Sequence, residues 1–298
     1  MRTVYLGTSE FAVGVLERLA ESPHRPALVV TRPDRPRGRG RRLSAPPVAI
    51  AARELGLALD QPDDVNAAAA RARIAAAEPE LVIVCAFGAL LKPPLLSEHE
   101  LLNVHPSLLP RWRGAAPIER AMMAGDERTG VSLLRVTAEL DAGPVCATRA
   151  EPILPSDSYG SLAARLCAIS GDLLLDALAG PREYVEQGDS GATYAEKIGP
   201  SDRLLDPERP AGELERRVRA LHPHIGARLE LADGSLLAIR GAAARAGEGM
   251  AAGTLVVDEA RLLLGCADGA LELLELQPPG GRPMDAPAYL RGHRVASH

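Results

Sequence analysis

The chain has 298 residues, 46% of them hydrophobic and 24% charged, the balance of a folded protein rather than a disordered one. Its net charge of −5 and aromatic content of 3% argue against a protein that coats nucleic acid by bulk positive charge or stacks a long single strand. Four cysteines without a C-x-x-C pair, no long apolar run and no charged-then-apolar leader point to a cytoplasmic protein with reduced thiols and no membrane contact.

Residues 3–6 (TVYL) read as a strand closed by Gly7, after which Thr8 or Ser9 caps a helix carrying Phe11, Val15 and Leu19 on one stripe. Residues 27–30 form a second strand, and 46–56 and 66–77 are Ala-rich helices. The apolar run 81–85 (LVIVC) suits the centre of a parallel sheet covered on both faces. Strands follow at 101–105, 131–136 and 145–153, with a helix over 115–124. A second amphipathic helix then bears Leu162, Leu166, Ile169 and Leu173, with Asp157 near its start. This alternation predicts an α/β domain with a wound, mostly parallel, Rossmann-like sheet over 1–187.

The pattern changes afterwards. Residues 188–205 are polar and read as a linker, and 206–298 begin with a short helix at 211–221. Asp-Gly pairs at 233–234 and 268–269, flanked by apolar runs, signal hairpins. The expectation is a smaller, mainly antiparallel, β-barrel-like (OB-like) domain, although periodicity does not distinguish a barrel from an open sheet.

The nucleotide signatures are missing. The turn after the first strand, Gly7-Thr8-Ser9-Glu10-Phe11-Ala12, lacks G-x-G-x-x-G, and no G-x-x-x-x-G-K-[ST] occurs. The informative stretch is 103–117, NVHPSLLPRWRGAAP. Asn103 and His105 fall two apart at the carboxyl end of a strand, on one side, where open α/β sheets bind ligands. Pro106, Pro110 and Gly114 keep the loop beyond them irregular. Asp141, in the turn 139–144 (ELDAGP), adds a carboxylate. A carboxylate that orients an imidazole, an imidazole that moves protons and a carboxamide that donates to an oxyanion suit acyl-type transfer to an amine. The plainer readings are a capped strand with a satisfied histidine and a turn-forming aspartate.

The segments 103–117 and 140–144 (LDAGP) resemble the formyl transferase family that uses 10-formyltetrahydrofolate. The resemblance runs nearly end to end, through GTSEF at 7–11, RPDRP at 32–36, ATYA at 192–195, LELQP at 274–278 and LRGH at 290–293. It implies that Asn103, His105 and Asp141 are catalytic, and that Ser107, Leu108, Leu109 and Pro110 line a folate pocket. It also implies 10-formyltetrahydrofolate as co-substrate and the α-amine of initiator methionyl-tRNA as acceptor. The seven histidines include no H-x-x-x-H and no nearby Cys/Asp set, so no metal is expected. A monomer is the expectation, although the sequence does not give the oligomeric state. Arg32, Arg35, Arg37, Arg39, Arg41 and Arg42, opposed only by Asp34, make a flexible basic loop of local charge +5 that in the family meets the tRNA acceptor end. A solvated charged loop is the plain reading of that segment. Residues 206–298 hold 11 arginines against 13 acids, which weakens the expectation that this domain grips the tRNA body. His222-Pro223-His224 departs from the aromatic-Pro-Gly turn more usual in the family and is read as a joining loop rather than a metal site. The alternatives are formyl transfer to an amino-sugar nucleotide, hydrolysis of 10-formyltetrahydrofolate, and an inactive RNA-binding scaffold.

Overall fold

Seven strands organise the first part of the chain in a computed structural model that describes residues 1–37, 42–246 and 249–293. The order of elements is β1 (Thr3–Gly7), α1 (Glu10–Ala20), β2 (Pro26–Val30), β3 (Arg35–Arg37), β4 (Arg42–Ser44), α2 (Pro47–Glu54), β5 (Leu59–Asp60) and α3 (Ala68–Ala76). It continues through β6 (Leu81–Cys85), α4 (Pro93–Glu98), β7 (Leu101–His105), β8 (Arg113–Gly114), α5 (Pro117–Ala124), β9 (Arg128–Arg135), β10 (Val145–Pro152), α6 (Tyr159–Leu178) and β11 (Tyr194–Ala195). The main sheet runs β10-β9-β7-β6-β1-β2-β5. Strands β5, β2, β1, β6 and β7 are mutually parallel, and β9 enters antiparallel between β7 and β10.

The sheet follows from its apolar strands. Every residue of β1 and β6 is buried, as two-sided coverage of a parallel sheet requires. Val4, Leu6, Val82 and Val84 share one core with Ile74, Leu95 and Leu101. From β1 the chain first builds outward through β2 and β5, then crosses to β6 on the other side of β1. In open α/β sheets ligands bind beyond the carboxyl ends of the strands at such a reversal, here β1 and β6. Ser9 is the N-cap of α1, but neither it nor Thr8 caps with its side chain; the Thr8 hydroxyl donates to the Phe87 carbonyl at 2.7 Å. Pro47 and Pro93 open α2 and α4, where a missing N–H costs nothing.

Two compact units are each discontinuous in sequence. One comprises Met1–Pro117, Arg128–Pro152 and Ala163–Ala195, and the other takes Ile118–Glu127, Ile153–Leu162 and the chain from Glu196 onward. In the latter, α7 (Ala211–Leu221) precedes β12 (Ala227–Glu230), β13 (Leu236–Arg245), β14 (Leu255–Asp258), β15 (Arg261–Gly265), β16 (Ala270–Gln277), β17 (Met284–Asp285) and α8 (Ala286–Gly292). Their six strands pair antiparallel in the order β12-β13-β16-β15-β14, with β17 on β16. Among the described residues, no pairing closes β12 onto β14. Leu214, Val218 and Leu221 of α7 pack into one core with Leu237, Ile239, Leu271 and Leu273. Both Asp-Gly pairs sit in hairpin loops; the β14–β15 hairpin lacks one and turns at Glu259, with φ of 54°.

Candidate active site

Strand β7 ends on His105 and is held on both sides, by β6 and by β9, where Ser132 stands opposite His105. Beyond it the chain leaves the sheet but stays tightly bonded. The Ser107 hydroxyl donates to the Arg111 carbonyl at 2.7 Å. The Ser132 hydroxyl donates to the Ser107 carbonyl at 2.7 Å and accepts the Leu109 N–H at 3.1 Å. Trp112 takes a φ of 63°, and its N–H donates to the Thr193 hydroxyl at 2.9 Å. Arg113 and Gly114 then pair with Tyr194 and Ala195 as the small parallel sheet β8–β11. Gly114 has a φ of 118°, and a Cβ there would lie 2.8 Å from the Ala195 carbonyl oxygen, so this approach needs a glycine.

Asp141 sits in the second turn with a φ of 49°. The turn is pressed against β9 so closely that a Cβ on Gly143 would lie 1.9 Å from the Arg135 carbonyl oxygen. The two loops meet at the Asp141 carboxylate. Oδ1 accepts an amide N–H of Asn103 at 3.0 Å, and Oδ2 accepts the Gly114 backbone N–H at 2.9 Å. Oδ2 also lies 3.6 Å from Nδ1 of His105, whose side chain is almost wholly buried. The structure therefore brings Asn103, His105 and Asp141 together.

The imidazole has the Trp112 carbonyl on one side and the Asp141 carboxylate on the other. His105 Nε2 lies 2.8 Å from the Trp112 carbonyl oxygen. A carbonyl only accepts, so Nε2 carries a proton and the ring is fixed by that bond. The 3.6 Å from Nδ1 to the carboxylate exceeds a hydrogen bond, and the contact becomes an ion pair only when Nδ1 also carries a proton.

Of the residues assigned to a folate pocket, Ser107 is fully buried with its hydroxyl committed to Arg111, while Leu108, Leu109 and Pro110 are half-buried. The basic segment is not an open loop where it is described. Its arms β3 and β4 pair antiparallel, Arg35 opposite Ser44 and Arg37 opposite Arg42. Arg35 is exposed and Arg32 half-buried; Arg39 and Arg41 lie outside the described residues. The Gln61 amide donates to the Arg32 carbonyl at 3.0 Å and to the Asp34 carboxylate at 2.8 Å.

Four residues around the site were not singled out from the sequence as part of it. Trp112 and Gly114 act through their backbones, and Thr193 lies in the ATYA segment at 192–195, which carries the family resemblance and no chemical signal. Gln187 carried no signal at all. His222-Pro223-His224 lies in the loop that joins α7 to β12. His224 Nε2 lies 2.9 Å from Glu119 Oε1, and its ring stacks on Tyr159 with centroids 3.6 Å apart. Burial and the Glu119 charge push the Tyr159 hydroxyl up to about 12. The four cysteines are free, and burial pushes the Cys85 thiol up to about 12, too high for a nucleophile at neutral pH. Among the described residues, no group of three or more His, Cys, Asp or Glu is placed to hold a metal ion, and no helix is long and apolar enough to cross a membrane.

Residues 1–178 match the family model of the formyl transferases, and residues 197–294 match that of the formyl transferase C-terminal domain. The wound sheet and the second β unit, each within its own matched model, thus define a two-part formyl transferase. The methionyl-tRNA formyltransferase of Halorhodospira halophila is 45% identical over 302 residues, covering 99% of this chain and 97% of its own length. That of Methylococcus capsulatus is 42% identical, covering 99% of this chain and 98% of its own. The solved methionyl-tRNA formyltransferase from Clostridium thermocellum shares the fold, with a TM-score of 0.62 at 14% identity over 83% of this chain and 95% of that one. The chain belongs to the methionyl-tRNA formyltransferase family.

Proposed function

We propose that the chain transfers the formyl group of 10-formyltetrahydrofolate to the α-amine of initiator methionyl-tRNA, a cytoplasmic step supporting translation initiation. The observation that carries the reading is the Asp141 carboxylate, pinned by Asn103 and Gly114 and facing the imidazole nitrogen that Trp112 leaves free.

His105 Nδ1 takes a proton from the amine as the new nitrogen–carbon bond forms. Asp141 stabilises the imidazolium so produced. Asn103 gives one amide proton to Asp141 and offers the other to the oxyanion on the former formyl oxygen. His105 then returns its proton to N10 of the folate as the carbon–N10 bond breaks. The products are the formylated amine and tetrahydrofolate, with no net proton change. The amine is the nucleophile, and the Ser107 hydroxyl is engaged with Arg111 rather than available for an acyl-enzyme.

Leu108, Leu109 and Pro110 supply apolar surface beside the site for the folate. The arginines of the β3–β4 segment meet the phosphates of the acceptor end. The protein acts as a monomer, and these proton transfers call on no metal.

The test is formyl transfer by the purified protein to charged initiator tRNA, set beside an amino-sugar nucleotide and water as acceptors. Formylation of the tRNA alone is expected. Transfer only to the sugar nucleotide or to water would replace this reading. Asn103→Ala should lower kcat by about 100- to 1000-fold, the cost of one oxyanion donor.

A further inference from the structure

Gln187 belongs to neither loop of the site, yet its side chain ties both together. Its amide nitrogen donates to the Asp141 carbonyl at 2.9 Å and to the Gly143 carbonyl at 2.7 Å, using both of its protons. Its amide oxygen accepts from Arg113 Nε at 3.1 Å. Arg113 is nearly fully buried and immediately precedes Gly114, whose N–H holds the Asp141 carboxylate. The ring of interactions thus closes, from Asp141 side chain to Gly114, along the backbone to Arg113, through Gln187, and back to the Asp141 carbonyl.

The backbone of Gln187 is itself anchored nearby. Val185 and Val145 exchange N–H···O bonds at 2.8 and 2.9 Å, and the Tyr184 hydroxyl donates to Glu100 at 2.7 Å. The Arg135 guanidinium lies over the Tyr184 ring, 4.1 Å from its centroid. Such bracing has a reason. Asp141 holds a left-handed φ of 49°, which a non-glycine residue keeps only when its surroundings over-determine it.

We propose that Gln187 is a positioning residue for formyl transfer, setting the distance between the Asp141 carboxylate and His105 by clamping the Asp141–Gly143 turn to the Arg113–Gly114 strand. The inference rests on the functional reading above, so the wild-type rate on methionyl-tRNA is measured first and carries that reading by itself. Gln187→Glu retains an acceptor for Arg113 and loses both donors to the turn.

It should lower kcat by about 10- to 100-fold while KM for folate and tRNA stays within about threefold, because the clamp touches neither substrate. The decisive measurement is a cycle with Asp141→Asn. If Gln187 acts through Asp141, adding Gln187→Glu to Asp141→Asn costs no further activity. Wild-type kcat in Gln187→Glu, losses that multiply in the double variant, or a rise in KM alone would each overturn the proposal. Should Gln187→Glu not fold, Gln187→Leu, similar in size and without charge, goes through the same cycle with the same expected outcomes.

Discussion

Two glutamines hold two segments of the first unit, and they hold them differently. Gln61 ties the root of the arginine hairpin, through the Arg32 carbonyl and the Asp34 carboxylate, before the arms begin. Gln187 ties the turn that carries Asp141 from within, while Asn103, Gly114, Trp112, Thr193 and Ser132 fix the facing loop. Proton transfer needs atoms placed to a fraction of an ångström, and a misplacement of about 1 Å costs on the order of 100-fold in rate. Phosphate recognition by arginine acts through charge over several ångströms and needs only a tethered root. Under the function proposed above, the loops around Asp141 therefore rely on strained backbone and buried hydrogen bonds, and the hairpin on charge.

The largest effect expected from this contrast is at Asp141. Asp141→Ala removes the partner of Asn103 and of Gly114 and the charge facing His105 at once. Turnover should fall by about 1000-fold or more, the scale of losing at least one preorganised electrostatic element. Circular dichroism and a denaturation curve should show a folded protein, because the left-handed turn remains clamped by Gln187. A folded variant with wild-type turnover would break the comparison at its catalytic end.

Sequence legibility followed the same division. The wound sheet was readable because β1 and β6 are apolar throughout, and two of the antiparallel hairpins because they carry Asp-Gly loops. Asn103 and His105 were readable because residues two apart on a strand share a side. Asp141 entered on its position in a Gly/Pro turn and on resemblance. Trp112 was invisible as an orienting group because the bond to His105 comes from its carbonyl, which every residue possesses. Gln187 was invisible because its role arises from partners 44 to 74 residues away along the chain, and no local pattern encodes them. The β3–β4 arms were read as an open loop because three-residue strands broken by Pro and Gly leave no periodicity to detect.

At the hairpin the expected effect is smaller and of another kind. Replacing Arg32, Arg35, Arg37, Arg39, Arg41 and Arg42 by Gln should lower kcat/KM for tRNA by about 10-fold or more at physiological salt, with kcat at saturating tRNA nearly unchanged. The plot of log kcat/KM against log salt should flatten by about 0.7 to 0.9 for each phosphate that an arginine no longer neutralises. An unchanged salt slope would show that these arginines are solvated and that the acceptor end is gripped elsewhere. A fall in kcat instead would erase the distinction drawn between the two segments.

The smallest effect on activity is expected where the catalytic loop has redundant support. Ser132 is fully buried on β9, and its hydroxyl serves both the Ser107 carbonyl and the Leu109 N–H. Ser132→Ala leaves two polar groups without this partner, a loss of about 1–3 kcal/mol for each one buried and unsatisfied. A denaturant titration should register it. Turnover should fall only a few-fold, because the Ser107 N–H still bonds the His105 carbonyl at 2.9 Å and its hydroxyl still holds Arg111. The distance that matters, from His105 to Asp141, is set on the far side by Trp112 and Gly114, which Ser132 does not touch. A large loss of turnover in a protein of unchanged stability would reverse this ranking. It would place the precision of the site in the Ser107–Pro110 segment, at the folate, rather than in the clamp around Asp141.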